Sequence, residues 1–199
     1  MDVHALERKL RRRTSGEVRF DAGSRALYST DASNYRQIPI GVVVPRTLRD
    51  VIEAVACARE VGAPIVARGG GTSLAGQCCN VALVIDTSKY LDHILWLDPA
   101  RRRARVQPGV ILDRLRERAE AHHLTFAPDP STHNHCTMGG MIGNNSCGVH
   151  SVMGGMTSDN VEELDVLLYD GTRLTVGPTP DDELAQICAG NGRRAEIYR

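Results

Sequence analysis

Arg68-Gly69-Gly70-Gly71-Thr72-Ser73-Leu74-Ala75-Gly76-Gln77 is the stretch of this 199-residue chain whose residue types are best suited to binding chemistry. Three consecutive glycines, with no side chains in the way, let successive backbone N–H groups converge on an anion, and the hydroxyls of Thr72 and Ser73 add two donors. A diphosphate fits that donor set. A plain glycine turn accounts for the same residues, and the loop by itself leaves both readings open. It is not a Walker loop, because the lysine of G-x-x-x-x-G-K-S/T is missing, and not the dinucleotide fingerprint, because Leu74 stands where the third glycine belongs. From Gly71 to Gly76 there is one residue too many for the G-x-S-x-G nucleophile elbow.

A second stretch has a related composition. Asp129-Pro130-Ser131-Thr132 is followed by Thr137-Met138-Gly139-Gly140-Met141-Ile142-Gly143-Asn144-Asn145-Ser146-Cys147-Gly148, where small and amide-bearing residues let backbone N–H and C=O groups touch a planar ring. Two separate glycine-rich segments are what gripping a long, bent cofactor requires. His133, His135, Cys136, Cys147 and His150 offer zinc-ligating atoms, but H-x-H-C crowds three ligands into four residues and matches no standard spacing, so they read as loop residues beside a cofactor. His122-His123 suits a helix C-terminus, and Cys78-Cys79 reads as packing in preference to a redox pair.

The elements that must position these loops follow from periodicity. Val3 to Arg13 has the pattern of a short polar helix, and residues 14–40 are turn-rich. Gly41-Val42-Val43-Val44-Pro45 reads as a buried strand ended by proline, and Thr47 with Asp50 three residues on reads as a capping pair. Leu48, Val51, Ile52, Val55 and Ala58 keep helical spacing up to Gly62, and Pro64 to Ala67 reads as a second strand parallel to the first. Ala82–Asp86, His93–Asp98 and Ala104–Gln107 read as further strands, and Val110–His122 as a helix burying Ile111, Leu112, Leu115 and Ala119. From Phe126 to Met156 the chain reads as irregular, which is long for a connection without a function. Asp170-Gly171 between two apolar runs, Glu162–Tyr169 and Thr172–Val176, signals a hairpin. A parallel unit followed by an antiparallel one predicts an α+β fold with two lobes.

Composition narrows the function classes. Lys plus Arg and Asp plus Glu number 24 each, so no general attraction to nucleic acid or anionic membrane follows, and Arg11-Arg12-Arg13 and Arg101-Arg102-Arg103 read as solvated surface. Aromatic residues make up only 4%, against stacking of bases. The first thirteen residues lack the apolar run of a signal peptide or membrane span. Six cysteines without C-x-x-C spacing read as reduced thiols of a cytoplasmic protein.

Taken in order, V-V-V-P, R-G-G-G-T-S-L-A-G-Q, Q-P-G-V at 107–110, D-P-S-T, G-G-M-I-G-N-N-S-C-G, T-S-D-N-V-E-E-L at 157–164 and Y-D-G resemble the FAD-binding domain of the p-cresol methylhydroxylase and vanillyl-alcohol oxidase superfamily. Within it the chain is most similar to FAD-linked dehydrogenases of the glycolate oxidase and D-lactate dehydrogenase type. The resemblance implies a two-lobed domain, a small parallel βαβ lobe and a larger mainly antiparallel one. It implies that Gly69, Gly70, Gly71, Thr72, Ser73 and Leu74 hold the pyrophosphate. Ser131, Gly139, Gly140, Asn145, Ser146 and Gly148 would line the flavin and ribityl region, and Val161 would meet the adenine side through its backbone. Arg68, Gln77, Gly109, Pro130, Thr137 and Asn144 complete the implied cofactor-binding set. Relatives with covalent flavin use a histidine at the position of Thr72, sometimes with a cysteine near His135 and Cys136, so Thr72 implies non-covalent FAD. Gly154 departs from the family, which often carries an aromatic residue there.

The implied plan is an N-terminal helix and turn-rich segment over 1–39, the FAD-binding domain over 40–177, and over 178–199 the start of a linker to a substrate domain beyond this chain. That missing domain would bring the residues that handle a 2-hydroxy acid and take its proton, so no catalytic side chain and no metal ligand is assigned here. An electron acceptor and an iron-sulfur segment are implied partners of the longer protein, and the 199-residue chain alone is expected to hold FAD weakly or not at all and to self-associate. The alternatives are the FAD module of a reductase that makes cell-wall precursor sugars, or a non-catalytic flavin-binding fragment.

Overall fold

A computed structural model describes all residues from Met1 to Arg199, which divide into two compact units, Met1–Asn160 and Val161–Arg199. In the first unit, helix α1 (Val3–Arg13) is capped by Asp2, whose carboxylate accepts the Ala5 N–H at 2.9 Å, and it buries Leu6 and Leu10. Strand β1 (Glu17–Arg19) and helix α2 (Ala22–Leu27) follow. Strand β2 (Gly41–Val44) is buried at every position, as a run of three valines demands of a strand covered on both faces. Helix α3 (Leu48–Glu60) begins at the expected capping box: Thr47 Oγ1 accepts the Asp50 N–H at 3.2 Å and Asp50 returns by accepting the Thr47 N–H at 3.1 Å. It ends at Gly62, whose φ is 67°.

Strands β3 (Ile65–Arg68) and β4 (Leu83–Asp86) complete a four-stranded sheet of order β1-β2-β4-β3. β2 and β3 run in the same direction, as expected, but they do not pair with one another, because β4 inserts between them and is parallel to both. β1 closes the other side as an antiparallel partner of β2. The loop from Gly69 to Ala82 therefore leaves the C-terminal end of the outermost strand and returns to the middle of the sheet, a change of strand order at the sheet's carboxyl edge where α/β folds place their ligands.

Strands β5 (Ile94–Asp98) and β6 (Arg103–Val106) form an antiparallel pair, and helix α4 (Leu112–Glu120) buries Leu112, Leu115 and Ala119, with Ile111 only half-buried as its N-cap. His122 and His123 lie just past that helix in its terminal turn. The stretch expected to be irregular contains two helices, α5 (Met138–Asn144) and α6 (Ser151–Gly154). Three glycines hid α5, since each costs about 1 kcal/mol relative to alanine in a helix. Tertiary burial outweighs that cost: Met138 and Met141 join Val110, Leu112, Leu115 and Cys136 in one apolar cluster. Thr137 caps the start of α5, and Asn145 ends it in the left-handed region at φ 47°.

The second unit contains the expected hairpin, strands β7 (Leu164–Leu167) and β8 (Arg173–Val176), turning through Gly171 at φ 91°. Helices α7 (Asp181–Ala189) and α8 (Arg193–Tyr198) follow, and Arg193 donates to Asp170 at 2.7 Å. With one mixed sheet, two antiparallel pairs and surrounding helices, the fold is α+β.

Candidate functional site

The two glycine-rich segments meet. A methyl group on Gly69 would fall closer than 3.0 Å to Thr137 Oγ1, and one on Gly70 closer than 3.0 Å to the His135 carbonyl oxygen. Thr137 is 2% exposed, and its Oγ1 accepts the Gly140 N–H at 3.4 Å, so the first glycine of one loop rests on the residue that starts the helix of the other. Asn144 Nδ2 donates to Ser73 Oγ at 3.3 Å, a second bond between the loops. Ser73 is buried and also accepts the Cys78 thiol at 3.6 Å, which closes the loop on itself. Gly71 lies at φ 67°, where a side chain is strained. Its carbonyl accepts the Ala32 N–H at 3.0 Å. Leu74 and Gln77 are exposed, and Gln77 Oε1 accepts the Ala75 N–H at 3.3 Å.

The remaining sequence-predicted residues of this unit frame the junction. Gly109 is buried, with its N–H on the Leu91 carbonyl at 2.8 Å, and Gly139 donates to the Pro108 carbonyl at 2.8 Å. Pro130 accepts the His133 N–H at 2.9 Å, and Ser131 is exposed. Asn145 Oδ1 accepts the Ser158 N–H at 2.8 Å, and the Ser146 carbonyl accepts the buried Thr157 hydroxyl at 2.7 Å. Gly148 presses on the Asp129 carbonyl, and Asp129 holds His150 through both the His150 N–H at 2.9 Å and its imidazole. The His150 backbone N–H, followed by its ring, keeps the Asp129 carboxyl below the usual carboxylate range despite some desolvation. Gly154 lies against Ala127, where a Cβ would collide with the Ala127 Cβ, so a larger side chain has no room here. Val161 belongs to the second unit, where it lines a shallow cavity of about 420 Å³ with Leu164, Val176 and Pro178.

Sequence reasoning named Arg68 but missed its neighbour Tyr28, and with it Asp86 and Asp31. The Arg68 guanidinium lies over the ring of Tyr28, 5.3 Å from its centroid, and Arg68 Nη1 is buried with no hydrogen-bond partner. Tyr28 donates to Asp86 Oδ2 at 2.6 Å. Burial, then the Asp86 carboxylate, pushes the Tyr28 phenol well above its ordinary range, so it stays a neutral donor. Asp31 Oδ2 is likewise buried without a partner, close to the Cys79 thiol, whose pKa burial pushes up. The available signal was position: Arg68 and Asp86 are the last residues of β3 and β4 and face each other in register at the sheet's carboxyl edge.

The donor chemistry fits a diphosphate. None of the N–H groups from Gly69 to Leu74 donates to another protein group, and beneath them the Arg68 Nη1 is buried without a hydrogen-bond partner. No group of three or more His, Cys, Asp or Glu side chains is arranged to hold a metal ion, and no helix is long and apolar enough to cross a membrane.

Comparison with known proteins agrees with this geometry. A family model described as FAD binding domain matches residues 39–177. The chain is 37% identical over 190 residues to D-2-hydroxyglutarate dehydrogenase of Pseudomonas putida, covering 92% of this chain and 19% of that protein. It is 38% identical over 149 residues to glycolate oxidase subunit GlcD of Escherichia coli (strain K12), covering 73% of this chain and 29% of that protein. The chain thus spans about a fifth to a third of the length of these curated relatives. Among solved structures, xylooligosaccharide oxidase from Myceliophthora thermophila C1 shares the fold with a TM-score of 0.75 at 23% identity, over 90% of this chain and 38% of that one.

Proposed function

The chain belongs to the FAD binding domain family, and we propose that it is the FAD-holding part of a flavin-dependent dehydrogenase that oxidises a 2-hydroxy acid of the D-lactate, glycolate or D-2-hydroxyglutarate type. The observation that carries this reading is the convergence of the unengaged N–H groups of residues 69–74, the buried, unpartnered Nη1 of Arg68 and the helix Met138–Asn144 in one junction. The backbone of Gly69, Gly70, Gly71 and Thr72 would hold the bridging phosphates, with Ser73 fixed from behind by Asn144. Ser131, Gly139, Gly140, Asn145, Ser146 and Gly148 would approach the flavin and ribityl portion, and Val161 the adenine side.

When bound, FAD accepts the hydride equivalent removed from the hydroxyl-bearing carbon. The chain's residues bind and orient it. Thr72 stands where relatives with covalent flavin carry a histidine, which accords with non-covalent binding. In this reading the cofactor-binding domain runs over 40–177, and a substrate domain reached through 178–199 supplies the groups that position the hydroxy acid and take its proton. Electrons then pass to a separate acceptor. All six cysteines are unpaired thiols, in keeping with a reducing, cytoplasmic setting.

The test has two parts. The 199-residue chain is titrated with FAD and followed by flavin absorbance, with weak, saturable binding as the expected result. A longer version carrying the following domain is reduced anaerobically with D-lactate, glycolate or D-2-hydroxyglutarate, and loss of the oxidised flavin band is expected with at least one of them. Bleaching by NADPH together with inertness to all three acids would replace the dehydrogenase with a reductase.

A further inference from the structure

Arg68 and Asp86 occupy facing positions at the ends of β3 and β4, yet they form no ion pair. The Asp86 carboxylate is already engaged: Oδ2 accepts the Tyr28 hydroxyl at 2.6 Å, and Oδ1 accepts the Ser88 N–H at 2.8 Å and the Ser88 hydroxyl at 2.6 Å. Asp86 therefore tethers Tyr28, and the tyrosine ring in turn carries the Arg68 guanidinium. A ring orients a guanidinium through its face without using any of the five N–H donors, whereas a carboxylate would neutralise the cation and compete with phosphate for those donors. Nη2 points up at Gly71: a Cβ there would lie 2.6 Å from it.

We infer that Tyr28 is a positioning residue, which holds the Arg68 guanidinium under the glycine loop as the counter-charge to the bridging phosphates of the dinucleotide. The inference rests on the FAD reading above and extends the site beyond the residues 39–177 matched by the family, into the turn-rich segment that precedes them. Helix α2 serves it directly, because Tyr28 is the residue that ends that helix and its ring packs against the Val42, Val44 and Val84 cluster. Ring, carboxylate and guanidinium thus arrive from three separate elements.

The experiment titrates the ¹⁵N-labelled 199-residue chain with ADP, which carries a diphosphate and no flavin, and with adenosine as the diphosphate-free control. NMR detects binding even in the millimolar range. In the unaltered chain the amides of Gly69 to Leu74 and the Arg68 Nε–H are expected to shift with ADP. Tyr28→Ala is expected to raise the half-saturating ADP concentration about fivefold or more, and by less than about twofold when Arg68 is already alanine. Tyr28→Phe keeps the stacking face and should recover most of the affinity. Adenosine shifts should be the same in all variants, and thermal midpoints close to one another identify the variants as folded. Equal losses from Tyr28→Ala with and without Arg68, or no loss at all while the glycine amides still shift, would overturn the positioning role and leave the FAD reading standing. No response of residues 69–74 to ADP in the unaltered chain would overturn the placement of the diphosphate at this loop, and the positioning role with it.

Discussion

Gly69 and Thr137 are packed so closely that neither can change alone. Alanine at Gly69 would drive its methyl group into Thr137 Oγ1, and Thr137, 2% exposed, cannot turn away without releasing the Gly140 N–H that it caps. Overpacking and loss of the cap together should cost about 2–4 kcal/mol. Gly69→Ala is therefore expected to lower the urea midpoint, and Thr137→Ala, harmful by itself, should be far less harmful in the Gly69→Ala background. Strictly additive losses in the four-member cycle would show that the two residues do not share this contact. The glycine loop was legible in the sequence because its message is local: three residues without side chains, then two hydroxyls, after a strand. Tyr28 was not legible, because its role exists only once β4 has entered the sheet between β2 and β3 and brought Asp86 level with Arg68.

At the scale of elements, the start of α3 has a titratable fastener. Asp50 is 3% exposed and accepts the Ser15 N–H at 2.8 Å, the Ser15 hydroxyl, the Arg46 N–H at 2.9 Å and the Thr47 N–H at 3.1 Å. Burial pushes its pKa up, but these donors outweigh burial and leave the carboxyl below its ordinary value. A carboxyl lowered by folding adds stability above its unfolded pKa of about 3.9 and loses it as pH falls toward the folded value. Glu17 works in the same direction, held at about 2 by Lys89, Tyr90 and Arg19. Urea midpoints measured from pH 6 to pH 3 should thus decline most below about pH 4. Asp50→Asn should cost about 2 kcal/mol at pH 7. It should also flatten that decline, and an unchanged pH profile would remove Asp50 from the account. This capping box, β2 and the β7–β8 hairpin were all readable, since caps, apolar runs and an Asp-Gly turn act over a few residues. Helix α5 escaped because its propensity is poor and its stability comes from Met138 and Met141 packing on α4, a contact between elements that no local pattern encodes.

For the molecule as a whole, the decisive surface lies beside the candidate site. Val149, Val152 and Met153 are 81%, 96% and 93% exposed, and Met156 adds to the same short stretch. Scattered apolar side chains on a surface are ordinary, but Val152 and Met153 on the single turn of α6, with Val149 and Met156 on either side of it and next to Gly148 of the proposed flavin region, cluster in a short stretch that water solvates poorly. In the longer protein we expect the following domain to cover the flavin region, and in the 199-residue chain this surface is open to a second copy. Sedimentation velocity is expected to show mass-dependent self-association. Val152→Lys with Met153→Lys should suppress it, and because those side chains are almost fully exposed the thermal midpoint should barely move, stability changing by no more than about 0.5 kcal/mol. Saturating FAD should raise that midpoint in the variant as in the parent, since ligand binding to the folded state stabilises it by mass action. Association that persists unchanged in the double variant would mean that another face drives it, and the exposed valines and methionine would then be surface residues without a partner.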